Sequence, residues 1–475
     1  MAKQLDVDLC VIGAGSGGLS VAAAAAQLGE KVVLIEKAKM GGDCLNYGCV
    51  PSKAMIAAAK QAHVMGAGEK FGVKPHDAQV NFRKVHDHVH NVIAAIAPND
   101  SVERFTGLGV KVIEAAGKFK DKHTVKAGNF EVTARRFVVA TGSSPGTPPI
   151  PGLKSVPYLT NETIFELTRL PSHLIVIGGG PIGIELAQAH RRLGARVTVL
   201  EMFAPLGKDD PELTKVVLDQ VIADGVDIRA GVKVNKVSKR TKGIRVVIEQ
   251  DGDTINVDGS HILVAAGRKP NLDGLGLEAA GIKFSPRGIA VNKGLKTSNK
   301  RVYAIGDVAG GLQFTHVANY HAGLVLRNAL FKMPVKVNND LVPWVTFTEP
   351  ELSSVGLNEK AAKERHGDNI RVLRWPYAEN DRAQAEHKTT GMVKVITTKR
   401  GRILGASIVG QNAGDLIQPW VLAMTNGLKV KAMTAMIAPY PTFSEINKRV
   451  AYGFYTPSLN NPWLRRLIRI VKAIF

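Results

Sequence analysis

One pattern occurs twice in this chain, and it constrains the fold more than any other feature. An apolar stretch, a glycine turn, a second stretch rich in alanine or leucine, and an apolar stretch ending in glutamate follow one another. They form DVDLCVIGAGSGGLSVAAAAAQLGEKVVLIEK from Asp6 and SHLIVIGGGPIGIELAQAHRRLGARVTVLE from Ser172. This order predicts a strand, a helix and a second, parallel strand. The glycine turn then lies at a helix N-terminus, where backbone N–H groups bind phosphate.

The glycines and the terminal acid of each copy have the spacing of a dinucleotide-binding turn. They are Gly13, Gly15, Gly18 and Glu36 in the first copy, and Gly178, Gly180, Gly183 and Glu201 in the second. The glycines let the backbone approach a pyrophosphate, and the acid accepts hydrogen bonds from a ribose. A plain strand-to-helix turn is the alternative for either copy alone. Two copies predict two different dinucleotides.

The second copy also indicates which nicotinamide cofactor the chain prefers. A carboxylate at Glu201 would repel a 2′-phosphate, which favours NADH over NADPH. Arg191 and Arg192, further back along the predicted helix, could weaken that preference. Side chains of this kind more often form a solvated helix face.

Two of the three cysteines, Cys44 and Cys49, lie in GGDCLNYGCVPSK, which begins at Gly41. In a regular α-helix, residues five apart are separated by about 140° around the axis and about 7.5 Å along it. No disulfide spans that geometry. If the two are bonded, the backbone must leave the helix between them, and Gly48 and Pro51 permit this. A disulfide in a forced geometry is easily reduced.

Composition narrows the possible functions. Three cysteines in 475 residues, with no hydrophobic targeting segment at the start, predict a cytoplasmic protein in which a bonded pair is catalytic. Cys10 lies in the middle of an apolar strand, and we assign it no chemistry. No apolar run reaches the length of a membrane span. The net charge of +21 fits several partners, but nucleic acid is not expected, because long basic helices, regularly spaced aromatics and zinc-finger spacings are absent.

Turn-rich connectors divide the chain. In RRFVVATGSSPGTPPIPG a strand is expected to end at Thr141 and Gly142, before a proline-rich connector, and HILVAAGRKPN ends a second domain near Pro270. NKRVYAIGDVAGG then supplies another strand, ending in Gly306 and Asp307, so that the first domain resumes. The predicted segments are 1–150 and 276–340 for the first domain, 151–275 for the second, 341–460 for a mixed C-terminal domain and 461–475 for a basic tail.

The order of these motifs resembles that of the class I FAD-dependent pyridine nucleotide-disulfide oxidoreductases. It comprises the two glycine turns, GGDCLNYGCVPSK, ATG, AIGD and FTEPELSSVGL. Within this family, GGDCLNYGCVPSKAMI and IAPNDSVERF are most similar to the branch that includes mercuric-reductase-like and dihydrolipoamide-dehydrogenase-like proteins. The resemblance implies an α/β fold with two Rossmann-like dinucleotide-binding domains, one for FAD and one for NAD. It also implies a C-terminal α+β dimerisation domain and a homodimer.

The resemblance further implies the residues that hold each cofactor. FAD is expected at Gly13, Gly15, Gly18, Glu36, Gly41, Gly42, Lys53, Gly117, Thr141, Gly142, Gly306 and Asp307. NADH is expected at Gly178, Gly180, Gly183 and Glu201, with Gly267 near the nicotinamide. Electrons would pass from NADH to the flavin, then to the disulfide of the two cysteines, and then to an acceptor.

By the family pattern, Cys49 is the thiol beside the flavin, and Cys44 meets the substrate. Lys53 lies four residues after Cys49, near the same face of a helix that resumes at Pro51, and its ammonium would lower the thiol pKa. Glu185 is the partner that the family implies for Lys53. The alternatives are a surface charge for Lys53 and, for Glu185, a first-turn acid favoured by the helix dipole.

The segment IAPYPTFSEINKR departs from the family pattern. The lipoamide and glutathione enzymes have a histidine there, which acts as an acid-base across the dimer, whereas this chain has Tyr440, with Glu445 in the place of the glutamate that follows. A phenol with a pKa of about 10 is a poor base near neutrality. Dithiol oxidation should therefore be slow, which weakens the dihydrolipoamide dehydrogenase hypothesis. A soft metal ion needs no such base, although this sequence lacks the C-terminal cysteine pair and the N-terminal metal-binding domain expected of mercuric reductase.

The segment from Trp463 predicts an amphipathic helix. Its basic residues, Arg465, Arg466, Arg469 and Lys472, occupy one side of a helical wheel, and Leu464, Leu467, Ile468, Val471, Ile474 and Phe475 occupy the other. Residues 463–475 are too short and too charged to span a bilayer, and they predict peripheral binding to an anionic membrane on its inner face. The alternative is packing on the protein itself. A membrane-associated NADH dehydrogenase that reduces a quinone or oxygen, with regulatory thiols, is therefore a further hypothesis.

KVHDHVHNV contains three histidines, His86, His88 and His90. On a helix only His86 and His90 share a face, and no third ligand is evident from the sequence. Histidines on a polar helix are usually solvated, so no metal site is predicted.

Overall fold

The first glycine repeat forms the centre of a seven-stranded sheet. The computed structural model describes residues 2–459 and 461–474. The strands of this first part are β1 (Lys3–Ile12), β2 (Val32–Glu36), β3 (Lys111–Glu114), β4 (Gly117–Phe119), β5 (Thr124–Ala127), β6 (Phe130–Val139) and β7 (Ser143–Pro145). Six strands of the sheet lie in the order β3-β2-β1-β6-β5-β4, and the seventh, Val302–Ala304, pairs with β6. The sheet is parallel from β3 to β6 and antiparallel beyond, while β7 lies outside it. The apolar runs of β1 and β2 are buried because helices or strands cover both faces of a parallel sheet.

The first three helices of this part begin directly after a glycine, and the last two begin after a capping Asn81 or Ser101. These helices are α1 (Ser16–Gln27), α2 (Gly42–Asn46), α3 (Cys49–Met65), α4 (Phe82–Ile96) and α5 (Val102–Gly107). Two predicted boundaries were wrong by a few residues. The strand before the proline-rich connector ends at Val139, and the helix after the cysteines begins at Cys49 instead of Pro51. Proline fits in the first turn of a helix because its missing N–H has no partner there.

The second glycine repeat forms a separate parallel sheet. The elements are β8 (His173–Ile177), α6 (Pro181–Arg192), β9 (Arg196–Glu201), α7 (Pro211–Ala223), β10 (Asp227–Ala230), β11 (Lys233–Lys239), β12 (Ile244–Gln250), β13 (Asp253–Gly259), β14 (His261–Val264) and β15 (Arg268–Pro270). The order β10-β9-β8-β14 is parallel, and β11-β12-β13 is an antiparallel sheet of its own. β15 pairs with β7, so two short strands join this part to the first.

The chain then returns to the first sheet. The elements are β16 (Phe284–Ser285), β17 (Gly288–Ile289), β18 (Val302–Ala304) and α8 (Thr315–Phe331). β18 pairs in parallel with β6, and α8 packs against α1. The strand ends at Ala304, before the predicted end, and Gly306 and Asp307 lie in a short 3-10 turn that follows it.

The last large part is an antiparallel sheet covered by helices. Its elements are β19 (Pro343–Thr346), β20 (Glu351–Gly356), α9 (Glu359–His366), β21 (Ile370–Pro376), α10 (Asp381–Ala385), β22 (Met392–Thr398), β23 (Ile403–Gly410), α11 (Ala413–Leu416), α12 (Gln418–Thr425), α13 (Val430–Ala435) and α14 (Glu445–Tyr452). The order is β19-β20-β23-β22-β21, and the fully buried Trp420 belongs to its core. The predicted α/β class, with two dinucleotide-type parts and a C-terminal α+β part, is confirmed.

A buried ion cluster joins the second part to the C-terminal sheet. Nζ of Lys394, on β22, lies 2.8 Å from Asp210, 2.8 Å from Glu212 and 2.9 Å from Glu359. The Lys394 side chain is 4% exposed. Burial lowers the pKa of Lys394, but the three carboxylates outweigh burial and raise it, so the lysine stays charged. This cluster fixes α7 against β22.

The tail contains two further helices, α15 (Thr456–Leu459) and α16 (Pro462–Ile474). The predicted amphipathic helix is present, and none of its described residues is buried. The guanidinium of Arg466 lies 5.8 Å from the centre of the Trp463 ring. Phe475 lies outside the described residues. No described helix is long and apolar enough to cross a membrane.

Candidate active site

One cavity of about 2090 Å³ connects both glycine turns and both cysteines. Typical ligand pockets hold about 300–1,000 Å³, so this cavity has room for two dinucleotides. The predicted site residues that line it are Gly13, Gly15, Glu36, Gly42, Cys44, Cys49, Lys53, Gly117, Thr141, Gly142, Gly180, Glu185, Glu201, Gly267, Gly306 and Asp307. The predicted residues outside its lining are Gly18, Gly41, Gly178, Gly183, Tyr440 and Glu445.

The two glycine turns have the same geometry. A Cβ at Gly18 would stand 1.9 Å from the backbone oxygen of Gly13, and a Cβ at Gly183 would stand 2.0 Å from that of Gly178. These glycines therefore hold each helix close to its strand without lining the cavity. At Gly15 and Gly180 there is no atom within 4 Å of the Cβ position. Such open space at a helix N-terminus fits a pyrophosphate at each turn.

The glutamates that end β2 and β9 make equivalent hydrogen bonds to their own glycine turns. Oε2 of Glu36 accepts a 2.6 Å hydrogen bond from the backbone N–H of Ala14, and Oε2 of Glu201 accepts one of 2.6 Å from Gly179. Oε1 of Glu201 also accepts from the N–H of Phe203 at 2.8 Å. Each carboxylate is thus fixed at the end of its strand and beside its glycine turn, where ribose hydroxyls are expected.

The cysteines face each other across a break in the helix. α2 ends at Asn46 and α3 begins at Cys49, and Gly48 between them has φ −124° and ψ −107°. Both thiols are free, and Sγ of Cys49 lies 3.3 Å from Oγ1 of Thr315. The sequence argument that the backbone must leave the helix between the cysteines agrees with this geometry.

The two thiols differ in acidity. The pKa of Cys49 is lowered to about 6: the hydrogen bond from the Cys44 thiol is the largest cause, burial opposes it, and Thr315 and Lys53 also contribute to the lowering. The same hydrogen bond, together with burial, raises the pKa of Cys44. Cys49 is also the first residue of α3, where the helix dipole favours a thiolate. The pair therefore holds one proton, on Cys44.

Lys53 and Glu185 are in contact, as the family resemblance implies. Nζ of Lys53 lies 2.8 Å from Oε2 of Glu185 and 4.2 Å from the centre of the Phe347 ring. Oε1 of Glu185 accepts a 2.9 Å hydrogen bond from the N–H of Phe347, and Glu185 is buried. The buried carboxylate is thus fully paired, and the ammonium is held at the cavity wall near Cys49.

A second polar group lies across the cavity. Oγ of Ser143 donates a 2.5 Å hydrogen bond to Oδ2 of Asp307, and Nε of Arg268 donates a 2.7 Å hydrogen bond to Ser143. Nη2 of Arg268 lies 3.2 Å from a carboxylate oxygen of Asp43, next to Cys44. Burial raises the pKa of Asp307. Arg268 therefore connects the 3-10 turn at Asp307 with the cysteine segment.

The suggested solvated helix face was wrong for Arg192. Arg192 is 5% exposed, with Nε 2.7 Å from Asp224 and Nη1 2.5 Å from Glu349, and Nζ of Lys388 lies 2.7 Å from the same glutamate. Nε of Arg191 donates to the backbone oxygen of Asp224. Both arginines thus have partners on their own side of the helix, and acids 32 and 157 residues away supply the partners of Arg192.

Tyr440 and Glu445 lie away from the cavity of their own chain. The Tyr440 hydroxyl donates a 2.7 Å hydrogen bond to Oδ2 of Asp381, which raises the pKa of Tyr440. Glu445 pairs with Arg449 at 2.7 Å. Tyr440 is 67% exposed and Ile437 is 90% exposed. Exposed apolar side chains in this segment are suited to burial against a second subunit.

Several residues of the site were not predicted from the sequence; besides Ser143, Arg268 and Asp43, they include Thr315, Phe347 and Asn161. Thr315 contacts Cys49, Phe347 holds both Lys53 and Glu185, and Asn161 donates 3.1 Å hydrogen bonds to Asp43 and to the backbone oxygen of Tyr47. Thr315 opens the helix after AIGD, which is a local signal for it. Phe347 opens the FTEPELSSVGL motif, which is a signal for it, whereas Asn161 belongs to no quoted motif, so only the folded chain identifies it.

Comparison with known proteins agrees with this geometry. Residues 7–322 match the sequence model of the pyridine nucleotide-disulphide oxidoreductases, and residues 342–451 match that of their dimerisation domain. The mercuric reductase of Staphylococcus aureus is 35% identical over 452 residues, which cover 94% of this chain and 82% of the relative. The dihydrolipoyl dehydrogenase of Geobacillus stearothermophilus is 34% identical over 456 residues, which cover 94% of this chain and 96% of the relative.

Solved structures give the same result. The HOCl-induced flavoprotein disulfide reductase RclA from Escherichia coli has a TM-score of 0.83 and 28% sequence identity, and the match covers 94% of this chain and 99% of that chain. The Cu(II) complex of that protein matches with the same TM-score. The chain therefore belongs to the class I pyridine nucleotide-disulfide oxidoreductases and is a dimeric, NAD(P)H-dependent FAD enzyme.

Proposed function

We propose that this enzyme passes electrons from NADH through the Cys44 and Cys49 couple to a soft metal ion or a small disulfide, as a mercuric-reductase-like protein. The observation that carries the proposal is the polarised thiol pair, with a thiolate at Cys49 and a proton on Cys44, in a cavity that both glycine turns line. When bound, FAD supplies two-electron transfer between the nicotinamide and the disulfide.

The roles of the remaining residues are part of this proposal. The first turn, Glu36, the cysteine segment, Gly117, Thr141 and the Asp307 turn hold FAD, and the second turn, Glu201 and Gly267 hold the nicotinamide cofactor. Lys53, oriented by Glu185, stabilises the Cys49 thiolate. We also keep the segment boundaries 1–150, 151–275, 276–340, 341–460 and 461–475 as proposed domains.

The chemistry of the couple follows from its charge. Reduction of the disulfide by one NADH yields NAD⁺, the thiol of Cys44 and the thiolate of Cys49, because the hydride equivalent supplies two electrons and one proton. A soft ion such as Hg(II) binds both sulfurs and releases the Cys44 proton to water. The two sulfurs then give up two electrons to the ion, which leaves in its reduced form, and the disulfide forms again. A small disulfide would instead be attacked by one sulfur and resolved by the other.

Two features support NADH over NADPH. The Glu201 carboxylate is fixed beside the second turn, where it would repel a 2′-phosphate. Arg192 is held by Asp224 and Glu349, so it is not available to bind that phosphate. Initial rates should therefore give a higher kcat/KM for NADH than for NADPH, and a Glu201→Gln variant should narrow the difference. A higher kcat/KM for NADPH would contradict this assignment.

The proposed function is tested most directly by identifying the electron acceptor. Stopped-flow reduction with NADH, followed by mixing with Hg(II), Cu(II), small disulfides and quinones, measures which acceptor reoxidises the enzyme. Cys44→Ser should abolish turnover of metal ions and disulfides, while Cys10→Ala, a change at a buried strand position, should not. If Cys44→Ser keeps full turnover with every acceptor, the thiol route is wrong, and direct reduction of a quinone or oxygen becomes the better hypothesis.

We further propose that the tail, residues 463–475, binds an anionic membrane on its cytoplasmic face. In support, no described residue of α16 is buried, and the basic and apolar side chains occupy opposite sides of the helix. Full-length enzyme should float with vesicles containing phosphatidylglycerol and not with pure phosphatidylcholine vesicles. A chain truncated at residue 461 is the matched control. Equal flotation of the two forms would refute the proposal.

A further inference from the structure

Three side chains from two distant segments converge beside α4. Ligand atoms of His86, His90 and Glu166 all lie within 4.8 Å of one another. The two imidazole rings are one helical turn apart, with ring centres separated by 4.2 Å. Oε2 of Glu166 is 3.7 Å from Nε2 of His90. The sequence pairs the two histidines, but only the fold supplies the glutamate.

We propose that His86, His90 and Glu166 form a binding site for a divalent transition-metal ion, separate from the redox cysteines. Zinc lies 2.0–2.2 Å from nitrogen and oxygen ligands, so tetrahedral ligand atoms are about 3.4 Å apart. The His90 to Glu166 separation is close to that value. Two imidazoles and a carboxylate suit Zn²⁺, Cu²⁺, Ni²⁺ or Co²⁺, and water completes the coordination.

His86 is prepared for this role by its neighbour. Nδ1 of His86 lies 3.0 Å from Oδ1 of Asp87. When that nitrogen donates its proton to the carboxylate, Nε2 carries the lone pair and is free to bind a metal. A carboxylate behind a metal-binding histidine orients the ring and raises its basicity, and its loss typically reduces metal affinity 10–100-fold.

His90 contains an unpaired atom at the same point. Its Nε2 is shielded from solvent and has no hydrogen-bond partner among the described residues. A buried polar nitrogen without a partner is costly. A metal ion between His90 and Glu166 would satisfy this nitrogen.

The backbones that carry the ligands are held in one core. Phe82 and Val89 of α4 are buried with Ile164 and Phe165, the residues just before Glu166, and with Met55 of α3. The ligands therefore need only small side-chain rotations to close around an ion, which limits the entropic cost of binding.

The position of this metal site would link it to the redox cysteines through the fold. Asn161, five residues before Glu166, donates hydrogen bonds to Asp43 and to the backbone of Tyr47 in the cysteine segment. A bound ion would cross-link α4 to the stretch that supports this segment. The expected role of the ion is thus to fix α4 against the redox site, independently of the thiol chemistry.

The test uses Zn²⁺ alone with FAD-loaded enzyme that carries no histidine tag. Cys44→Ser/Cys49→Ser protein is the parent, because it removes zinc binding by the thiolates. Equilibrium dialysis should give one Zn²⁺ per chain, and X-ray absorption should show only nitrogen and oxygen at 2.0–2.2 Å, without sulfur near 2.3 Å. Zinc should also raise the thermal unfolding midpoint, because it binds the folded chain.

Single substitutions in this parent decide the assignment. His90→Gln and Glu166→Gln should each weaken zinc binding at least about tenfold, and Asp87→Asn should weaken it about 10–100-fold. His88→Gln, an exposed position on the same helix, is the control and should bind like the parent. Bound flavin confirms that each variant is folded. Absence of zinc binding in the parent, or equal affinity in the parent and in both ligand variants, would overturn the proposal.

Discussion

The pKa of Cys49 depends on one neighbouring donor, and this dependence can be measured directly. The hydrogen bond from the Cys44 thiol is the largest cause that lowers this pKa from the usual 9.0 to about 6. Replacing Cys44 with alanine removes the donor, while Thr315 and Lys53 remain. We therefore expect the pKa of Cys49 to rise by between about 1 and about 3 pH units, which corresponds to about 1.4–4 kcal/mol.

The consequence at neutral pH is large. With a pKa of about 6, about 97% of Cys49 is thiolate at pH 7.5, whereas with a pKa of about 8 only about one quarter is. The rate of alkylation by iodoacetamide follows the thiolate fraction, so its dependence on pH reports the pKa. Cys10 does not interfere, because it is fully buried.

Cys44→Ser is the matched control. Both variants lack the disulfide, but serine retains a hydroxyl donor where alanine has none. Cys44→Ala should therefore show a pKa at least about one pH unit above that of Cys44→Ser. Coincident pH profiles would show that the Cys44 side chain does not set the acidity of Cys49, and the proposed division of charge in the couple would be wrong.

Three further predictions concern the interface and the ion clusters. Tyr440→His should raise turnover of dithiols by about 10²-fold, because imidazole is a better base near neutrality, and Tyr440→Phe should leave it unchanged in the same steady-state assay. Lys394→Met should destabilise the protein by about 3–5 kcal/mol in urea denaturation, because three carboxylates lose their shared cation; the exposed Lys363→Met should cost below about 1 kcal/mol. Against burial, which raises the pKa of Glu349, Lys388 and Arg192 lower it to about 2. Because this folded value lies below the usual 4.5, ionised Glu349 contributes about 3 kcal/mol to the free energy of unfolding. This contribution is present above pH 4.5 and is lost as the pH falls towards 2. In a plot of the free energy of unfolding against pH, Glu349→Gln should reduce the decrease between pH 4.5 and 2, and an unchanged decrease would contradict the ion pairs.

Much of the fold was predictable because its signals are local. A glycine turn between an apolar strand and a helix depends on residues within about 30 positions of one another, and both copies fold as predicted. The break between the two cysteines follows from the geometry of a helix and from Gly48. Strand ends were less accurate by a few residues, since hydrogen bonding to neighbouring strands, and not the apolar run itself, decides where a strand stops.

The candidate site was only partly predictable. Lys53 and Glu185 were paired through the family resemblance, and the distance between them came from the structure. The carboxylates that bury Arg192 lie at positions that no sequence spacing relates to it. From sequence alone, an arginine at a helix end is expected to be solvated, because its acidic partners are known only once the chain is folded.

By itself, the sequence determined two nucleotide turns, a reactive cysteine pair and an amphipathic tail, because each is set by neighbours along the chain. Only the tertiary structure decided that Thr315, 266 residues away, polarises Cys49, and that Glu166 completes a cluster with two histidines of α4. The physical reason is that side-chain periodicity and turn chemistry act over a few residues, whereas contacts between distant segments depend on how the sheets cross and pack.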